Sequence, residues 1–196
     1  MKPIYRINEI FVTLQGEGHF TGTPSLFIRF SGCNLKCPFC DTQHSSYREM
    51  SADEIIAQAC QTSVSHVVLT GGEPSLQVDE VLLSALHNAK KFIAIETNGT
   101  TPLLPGIDWV TLSPKKEWSS RPLALTQCDE LKVVFTGMKQ DLHAYDSISC
   151  HLRYLQPCDV HDEAQNRRIL REAVSYCLEH PQWRLSLQTH KLIGIP

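Results

Sequence analysis

Short apolar segments alternate with helical patterns along most of this chain. Strands are predicted at 25–30, 66–70, 92–96, 109–112, 130–135, 152–156 and 184–188. These segments are short and mostly apolar, which is typical of strands that are covered on both faces. Helices are predicted between them, over 51–61, 78–91 and 163–180. Strand, helix and strand repeated in this way indicate right-handed crossovers and a parallel sheet.

Two of the predicted helices carry specific signals. Ser51 and Glu54 have the spacing of a capping box at the start of the first helix. In the last helix an apolar stripe is predicted on one face. It comprises Ile169, Ala173 and Cys177, with Leu170, Val174 and Leu178 beside them.

The length of the chain limits how far such a sheet can close. A complete eightfold β/α barrel typically needs about 250 residues, and this chain has 196. The predicted fold class is therefore α/β, as an incomplete, open parallel β/α barrel. Since no repeat, low-complexity block or linker divides the sequence, residues 1–196 are expected to form a single domain.

Residues able to do chemistry follow one predicted strand after another. The fragments are "GCNLKCPFCDT", "TGGEP", "ETNG", "SPK", "LQPCD" and "LQTHK". In a parallel barrel the carboxyl ends of the strands meet on one rim, where active sites form. We therefore expect these loops to build one enzyme pocket.

The first fragment holds three cysteines, Cys33, Cys37 and Cys40. Thiolates suit zinc, copper(I) or iron–sulfur clusters. A zinc site would need a fourth ligand, which His44 could supply. Most [4Fe–4S] clusters are held by four thiolates, so three thiolates would leave one iron open for a substrate or cofactor. The cluster is the favoured interpretation, because a zinc site would leave the other loops without a role.

The remaining cysteines are scattered singly. They are Cys60, Cys128, Cys150, Cys158 and Cys177. A disulfide framework is not expected in a reducing compartment, and small buried hydrophobic side chains are the default interpretation. A second metal centre at Cys150 and Cys158 stays open, although a pair without a third partner is a weak signal.

The charge pattern and the start of the sequence limit the possible partners and location. Lys and Arg total 18 against 21 Asp and Glu, and no long basic run occurs, so direct nucleic-acid binding is not expected. The first ten residues lack the apolar core of a signal peptide, and no segment reaches membrane-spanning length. The protein is therefore predicted to be cytoplasmic and to have no membrane partner.

A Cys-x3-Cys-x2-Cys loop followed by "GGEP" after the next strand resembles the radical S-adenosylmethionine (SAM) superfamily. Phe39, between the last two cysteines, matches the same pattern. The resemblance implies a [4Fe–4S] cluster whose open iron binds SAM. Reduction would then cleave SAM to a 5′-deoxyadenosyl radical that abstracts hydrogen from the substrate. An electron donor such as flavodoxin or ferredoxin is therefore an expected partner.

Within that superfamily the chain is similar, over nearly its whole length, to the 7-carboxy-7-deazaguanine synthase family. The matching segments are "IFVTLQGEG", "FIRFSGCNLKCPFCDT", "TGGEP", "IETNGT", "LSPK", "LQP" and "LQTHKLIGIP". The similarity implies that 6-carboxy-5,6,7,8-tetrahydropterin becomes 7-carboxy-7-deazaguanine with loss of ammonia, on the route to 7-deazapurines such as queuosine. It also implies Mg2+, SAM that is regenerated in each turnover, and a homodimer.

The resemblance implies roles for individual residues. Cys33, Cys37 and Cys40 would hold the cluster, Thr42 would bind Mg2+, and Glu96 and His190 would act in catalysis. The SAM site would comprise Phe39, Cys40, Asp41, Gly72, Ser113, Pro114, Lys115, Gln156, Pro157, Cys158 and Asp159. The pterin substrate would contact Leu14, Gln15, Gly16, Glu17, Arg29, Thr70, His190 and Pro196, the last at the end of the apolar "KLIGIP" segment.

The chemistry of several of these residues supports the same roles but leaves alternatives. Arg29 could grip a carboxylate through two hydrogen bonds, or pair with a neighbouring acid. Oxygens of Gln15 and Glu17 could accept pterin N–H groups, or belong to a polar turn. Lys115 could neutralise a carboxylate or lie in solvent. His190, expected at a strand end, suits acid–base chemistry or hydrogen bonding, or a structural contact.

Two other functions stay open on the sequence alone. A radical SAM activase of a glycyl-radical enzyme also carries a short cysteine loop, but it would not predict "LQGEG" or the apolar C-terminal segment. A non-catalytic iron–sulfur or zinc protein is the second alternative. Metal content would separate it, since a zinc site binds a single ion and a [4Fe–4S] cluster binds four irons.

Overall fold

The computed structural model describes residues 3–40 and 46–196. Its strands are β1 Ile4–Leu14, β2 Pro24–Phe30, β3 Arg48–Ser51, β4 His66–Gly71, β5 Phe92–Thr97, β6 Trp109–Leu112, β7 Gln127–Phe135, β8 Ser149–Pro157 and β9 Trp183–Leu185. They form one sheet in the order β3-β1-β2-β4-β5-β6-β7-β8-β9. From β2 to β9 each neighbouring pair is parallel, and β1 is antiparallel to both β2 and β3.

The sheet is open, as the sequence predicts. Across the described ranges no pairing joins β9 to β3. All seven predicted strands are confirmed, as β2 and β4 to β9, although β9 ends at Leu185 and not at residue 188. The two strands that were not predicted are β1, in which polar residues interrupt the apolar ones without a regular period, and β3, which has only four residues.

The helices are α1 Ala52–Ala59, α2 Glu80–Asn88, α3 Glu163–Glu179 and α4 Thr189–Ile193. The predicted capping box is present, since Ser51 Oγ accepts from Glu54 N at 3.4 Å and Ser51 N donates to Glu54 Oε2 at 2.7 Å. In α3 only part of the predicted stripe is buried. Ile169 and Ala173 are covered, whereas Leu178 is 80% exposed, because α3 turns only a narrow face to β8 and β9. In the part of the chain that the structure describes, no helix could span a bilayer.

Two apolar cores lie on the side of the sheet that the helices cover. One joins β1, β2, β4 and β5 to α1 and α2, and the other joins β6 to β9 to α3. Since side chains alternate between the faces of a strand, the intervening residues point to the opposite, inner face. They include Thr70, Glu96, Lys132 and Gln156, which line a cavity there.

The loop between β1 and β2, residues 15–23, lies across this inner face. Thr189 N donates to Gly16 O at 2.9 Å, and Gly18 N donates to Ser186 Oγ at 2.9 Å. His19 N donates to Glu130 Oε2 at 2.8 Å. The loop therefore connects β1 with β7 and with the segment after β9, on the far side of the sheet, and it closes one side of the cavity.

Candidate active site

The cavity on the inner face has a volume of about 270 Å³. Its wall contains segments that follow β2, β4, β5, β6, β8 and β9, as expected for the carboxyl ends of parallel strands. The predicted site residues that line it are Leu14, Gln15, Gly16, Glu17, Arg29, Cys33, Cys37, Phe39, Cys40, Thr70, Gly72, Glu96, Ser113, Lys115, Gln156, Pro157, Cys158, Asp159, His190 and Pro196.

Three predicted positions differ or lie outside the description. Pro114 is buried but does not line the cavity, because it alternates with Ser113 and Lys115, which do. Asp41 and Thr42, the predicted SAM and Mg2+ contacts, are outside the described residues, as is His44.

One region of the wall, which we call the thiol region, consists of Cys33, Cys37 and Cys40. Burial raises the pKa of Cys33 and of Cys37, and the neighbouring thiols add to the rise. The thiols are thus close enough to interact electrostatically. Among the described residues, however, no three His, Cys, Asp or Glu side chains are grouped tightly enough for a single metal ion. Three thiols on one short loop suit three of the irons of a [4Fe–4S] cluster, which cysteine thiolates hold.

Hydrogen bonds between neutral side chains hold the cysteine loop against the loop after β5. Asn34 Nδ2 donates to Thr100 Oγ1 at 2.8 Å, and Asn98 Nδ2 donates to Asn34 Oδ1 at 3.0 Å. Asn98 Oδ1 in turn accepts from Thr100 N at 3.0 Å. On another side of the loop, the ring of Phe39 lies 4.4 Å from that of Trp118, measured between centroids.

Glu73 in "TGGEP" is fully buried and anchors the same loop from a third side. Its carboxylate accepts from Thr97 Oγ1 at 2.6 Å and from Asn98 N at 2.7 Å. Its backbone N donates to Gly32 O at 3.0 Å. Gly72 lies against the Gly32 carbonyl, where any side chain would collide. The motif therefore positions the cysteine loop, and the SAM contact of Gly72, which also lines the cavity, stays a prediction.

A second region of the wall, which we call the charged region, consists of Glu17, Glu96 and Lys132. Lys132 Nζ donates to Glu17 Oε2 at 2.5 Å and to Glu96 Oε1 at 3.4 Å. Gln15 Nε2 donates to Glu96 Oε1 at 3.1 Å, and Thr70 Oγ1 donates to Glu96 Oε2 at 3.0 Å. Four predicted site residues therefore belong to one hydrogen-bonded network.

Charges in this region stabilise one another. Burial disfavours the charge on Glu17, but the charge and hydrogen bond of Lys132 outweigh it and lower the pKa of Glu17 to about 2. Burial also disfavours the Lys132 ammonium, yet Glu17, Glu96 and Glu130 together hold the pKa of Lys132 above its ordinary value. For Glu130 burial prevails and raises the pKa. Glu17 and Lys132 are therefore both charged at neutral pH.

Two further charged side chains line the cavity. Lys115 Nζ donates to Ser113 O at 2.8 Å. Burial, together with the charge of Lys132, lowers the pKa of Lys115 to about 8, so this lysine is not a solvated surface group. Asp159 accepts from His161 N at 3.0 Å and from Lys191 Nζ at 2.9 Å, and these bonds hold the pKa of Asp159 well below its usual range.

Arg29 pairs with a neighbouring acid, which is one of the two interpretations of its sequence context, and its grip on a substrate carboxylate stays a prediction. Its Nε pairs with Glu9 Oε1 at 2.8 Å, directly across from it on β1, and its side chain also lines the cavity. Arg29 therefore places a guanidinium on the cavity wall, and an Arg side chain can grip a carboxylate with two parallel N–H donors.

His190 and Pro196 reach the cavity from the last segment of the chain. His190 belongs to the short helix α4 and not to a strand end as expected. It lies against Gly16, where a side chain would collide with its ring, so the loop after β1 needs a glycine at this point. A Pro196 backbone oxygen accepts from Thr13 Oγ1 at 3.2 Å.

The five single cysteines do not share one environment. Cys158 is buried and lines the cavity, and Cys128, Cys150 and Cys177 are half-buried. Cys60 is exposed at the end of α1, so its interpretation as a buried side chain is wrong. Cys150 and Cys158 lie at opposite ends of β8, which puts them about 26 Å apart at the usual rise per residue. They cannot share a metal.

Comparison with known proteins agrees with this geometry. Residues 27–115 match the Radical SAM superfamily. The 7-carboxy-7-deazaguanine synthase of Bacteroides thetaiotaomicron is 52% identical over 97% of this chain and 98% of its own length, and that of Bordetella pertussis is 41% identical over 98% and 99%. The crystal structure of QueE from Escherichia coli matches with a TM-score of 0.77 and 30% identity, covering 94% of this chain and 93% of that one.

The chain belongs to the 7-carboxy-7-deazaguanine synthase family. The glycyl-radical activase and the non-catalytic metal protein are thereby set aside. The predicted open α/β architecture is confirmed, and so are the [4Fe–4S] cluster and SAM as the cofactors that this family uses.

The sequence-based prediction missed Lys132 of the charged region and two residues beside that region. Lys132, Glu130 and Gln188 were not among the predicted site residues, although Lys132 and Gln188 line the cavity and Glu130 is buried beside it. A signal did exist, because Glu130 and Lys132 alternate with the apolar Leu131 and Val133 on β7. Two charged residues on one face of a central strand indicate a polar site on that face.

Proposed function

We propose that this chain converts 6-carboxy-5,6,7,8-tetrahydropterin to 7-carboxy-7-deazaguanine with loss of ammonia, in the biosynthesis of 7-deazapurines such as queuosine. The observation that carries the proposal is the single cavity in which the three thiols and the Glu17–Lys132–Glu96 network meet. The first group suits a redox cluster, and the second suits a small polar heterocycle.

Cys33, Cys37 and Cys40 would hold the [4Fe–4S] cluster in this scheme. When bound, the cluster and SAM supply the one-electron chemistry that removes a hydrogen atom from the substrate. The residues proposed to hold SAM are Phe39, Cys40, Asp41, Gly72, Ser113, Pro114, Lys115, Gln156, Pro157, Cys158 and Asp159. Lys115, half-buried on the wall with Ser113, places a positive charge where it would neutralise the SAM carboxylate.

The charged region would bind the pterin. Gln15 and Glu17 present oxygens to its N–H groups, and Arg29 presents its guanidinium to the 6-carboxylate. Glu96, which is hydrogen-bonded to Gln15 and Lys132 on the cavity wall, would take part in proton transfer. His190 would do so from the other side of the Gly16 turn. Leu14, Thr70 and Pro196 complete the proposed substrate contacts.

Several further features belong to the same proposal. Mg2+ would be bound by Thr42, a hard oxygen ligand next to the cysteine loop. Flavodoxin or ferredoxin would deliver the electron. The chain would act as one domain in a cytoplasmic homodimer, without direct contact to nucleic acid or a membrane.

The proposal is tested with the protein reconstituted under anaerobic conditions with iron and sulfide. Reductant, SAM, Mg2+ and 6-carboxytetrahydropterin are added, and 7-carboxy-7-deazaguanine is measured by chromatography and mass. The expected result is deazapurine from the wild type and none from Cys33→Ala. Intact SAM cleavage without any deazapurine from the wild type would show that the substrate is wrong.

A further inference from the structure

Lys132 is a buried lysine whose ammonium is directed towards two carboxylates of the cavity wall. It lies on the inner face of β7 and is 5% exposed. Its Nζ is 2.5 Å from Glu17 Oε2 and 3.4 Å from Glu96 Oε1. A buried ammonium is costly unless it is paired, so a neutral residue would be simpler here if Lys132 served packing alone.

The oxygens of the two carboxylates are each held by one or two protein donors. Glu17 Oε1 accepts from Gln188 Nε2 at 3.0 Å, and Glu17 Oε2 accepts from Lys132. Glu96 Oε1 accepts from Gln15 and from Lys132, and Glu96 Oε2 accepts from Thr70. An ionised carboxylate has about four lone-pair sites. Both groups therefore keep capacity for further N–H donors, in fixed orientations.

We propose that Lys132 is a positioning residue that holds Glu17 and Glu96 together as paired acceptors for the aminopyrimidinone edge of the substrate. That edge carries adjacent N–H and NH2 donors, which match carboxylate oxygens. Lys132 lines the cavity but acts through the two carboxylates and does not itself bind the ligand. The inference rests on the proposed function, since it names the part of the pterin that the charged region recognises.

The electrostatic consequence of losing Lys132 has a definite sign. The charged groups that face Lys132 are Glu17, Glu96 and Glu130 from three elements, and Lys115 from a fourth. Without the ammonium, burial and repulsion between carboxylates raise the pKa of Glu17, so it takes up a proton as the pH falls. A protonated carboxyl accepts fewer N–H bonds, so binding of the ligand weakens towards low pH.

The experiment measures binding without turnover. Reconstituted protein with SAM and without reductant is titrated calorimetrically with 7-carboxy-7-deazaguanine, which carries the same edge, at pH values from 5.5 to 8.5. Lys132→Met is compared with Lys91→Met, a matched control at a second buried lysine. Lys91 donates to Thr62 O and Val64 O and does not line the cavity.

At pH 7 we expect Lys132→Met to bind the product at least about 30-fold more weakly than the wild type, since one partner of a buried charge pair is lost. The ratio to the wild type should grow towards pH 5.5 and shrink towards pH 8.5. Lys91→Met should stay within about threefold of the wild type at every pH. A pH-independent ratio for Lys132→Met, or one equal to that of Lys91→Met, would overturn the proposal.

A double variant keeps the test valid if Lys132→Met is unstable. Glu17→Gln/Lys132→Met removes both members of the shorter pair, so Glu17 no longer leaves an unpaired buried charge. The dissociation constant of the double variant for the product should be within tenfold of that of Glu17→Gln alone. A loss of tenfold or more would mean that Lys132 contacts the ligand itself. If the wild type does not bind the product at all, the proposed function fails, and not the role of Lys132.

Discussion

The thiol region and the charged region of one cavity are built in different ways. The three thiols come from eight consecutive residues, 33–40, and their loop is held from behind by neutral side chains and by the buried Glu73. The charged region joins Glu17, Glu96 and Lys132, which belong to three separate segments, and its members are held by charge. The first design depends on local spacing, and the second depends on the whole fold.

This difference separates the two tasks that we assign to the cavity. A loop with fixed spacing, held by local hydrogen bonds, can present the same redox group whatever residues lie elsewhere on the cavity wall. A network of distant charges is instead sensitive to every strand that contributes to it, and it can select one substrate. Changes in the two regions should therefore have different results.

The largest expected effect is the loss of a thiol. Cys37→Ala should abolish both SAM cleavage and deazapurine formation, because two thiolates cannot hold the cluster in place. The measurement is iron content per chain together with 5′-deoxyadenosine and product by chromatography. Cys177→Ala, on α3 and away from the cavity, is the control and should keep all three.

A substitution in the charged region should impair deazapurine formation without impairing SAM cleavage. Glu17→Gln leaves Lys132 without its nearest anion, and removing one partner of a buried pair costs about 2–5 kcal/mol. Product formation should fall by roughly 100-fold or more, while cleavage of SAM in the absence of substrate stays near the wild-type rate. If Glu17→Gln lost SAM cleavage as completely as Cys37→Ala, the two regions would not be separable.

The charged region should also make the stability of the protein sensitive to acid. The pKa of Glu17 is about 2 in the folded chain against 4.5 for an ordinary glutamate, so its contribution is complete above about pH 4.5 and is lost as the pH falls towards 2. The loss amounts to about 3 kcal/mol of unfolding free energy. Urea unfolding from pH 6 to pH 2.5 measures it. The unfolding free energy of Glu17→Gln should decrease less over this pH range than that of the wild type. An equal decrease would contradict the pairing of Glu17 with Lys132.

The smallest expected effect concerns the support of the thiol region. Glu73→Gln replaces a fully buried carboxylate that accepts from Thr97 and from Asn98, and should lower the unfolding free energy by about 2 kcal/mol. Iron retention after reconstitution should fall as the cysteine loop loosens. Glu179→Gln is the control, because it makes the same Glu-to-Gln substitution at an exposed position. Full iron retention in Glu73→Gln would show that the loop is held by other contacts.

The same contrast explains what the sequence could predict. Seven strands were visible as apolar runs, and the thiol region as a spacing, since both are local signals. Strand β1 was missed because polar residues interrupt its apolar ones without a regular period, and only Tyr5 and Ile7 are well buried within it. The extent of the α3 stripe was wrong, because how much of a helix is covered depends on its neighbours and not on its own period.

Lys132 shows why the rest of the site was missed, since the alternation on β7 indicates a polar face but does not identify the partners of the lysine. A lysine in a strand is usually interpreted as solvent-facing, and only the positions of Glu17 and Glu96, respectively 115 and 36 residues away, make it a buried member of the network. The loop of residues 15–23 brings Glu17 across the sheet, and no local pattern indicates that path. Similarity to a known family predicted Glu17 and Glu96, but it did not supply Lys132.

The most direct test of the central claim counts products against SAM. The reconstituted wild type receives an excess of 6-carboxytetrahydropterin, reductant and Mg2+ with less SAM than substrate, and 7-carboxy-7-deazaguanine, ammonia and remaining SAM are measured together. We predict deazapurine and ammonia in equal amounts, each exceeding the SAM supplied. Consumption of SAM with no deazapurine, or with ammonia and deazapurine in unequal amounts, would contradict the account.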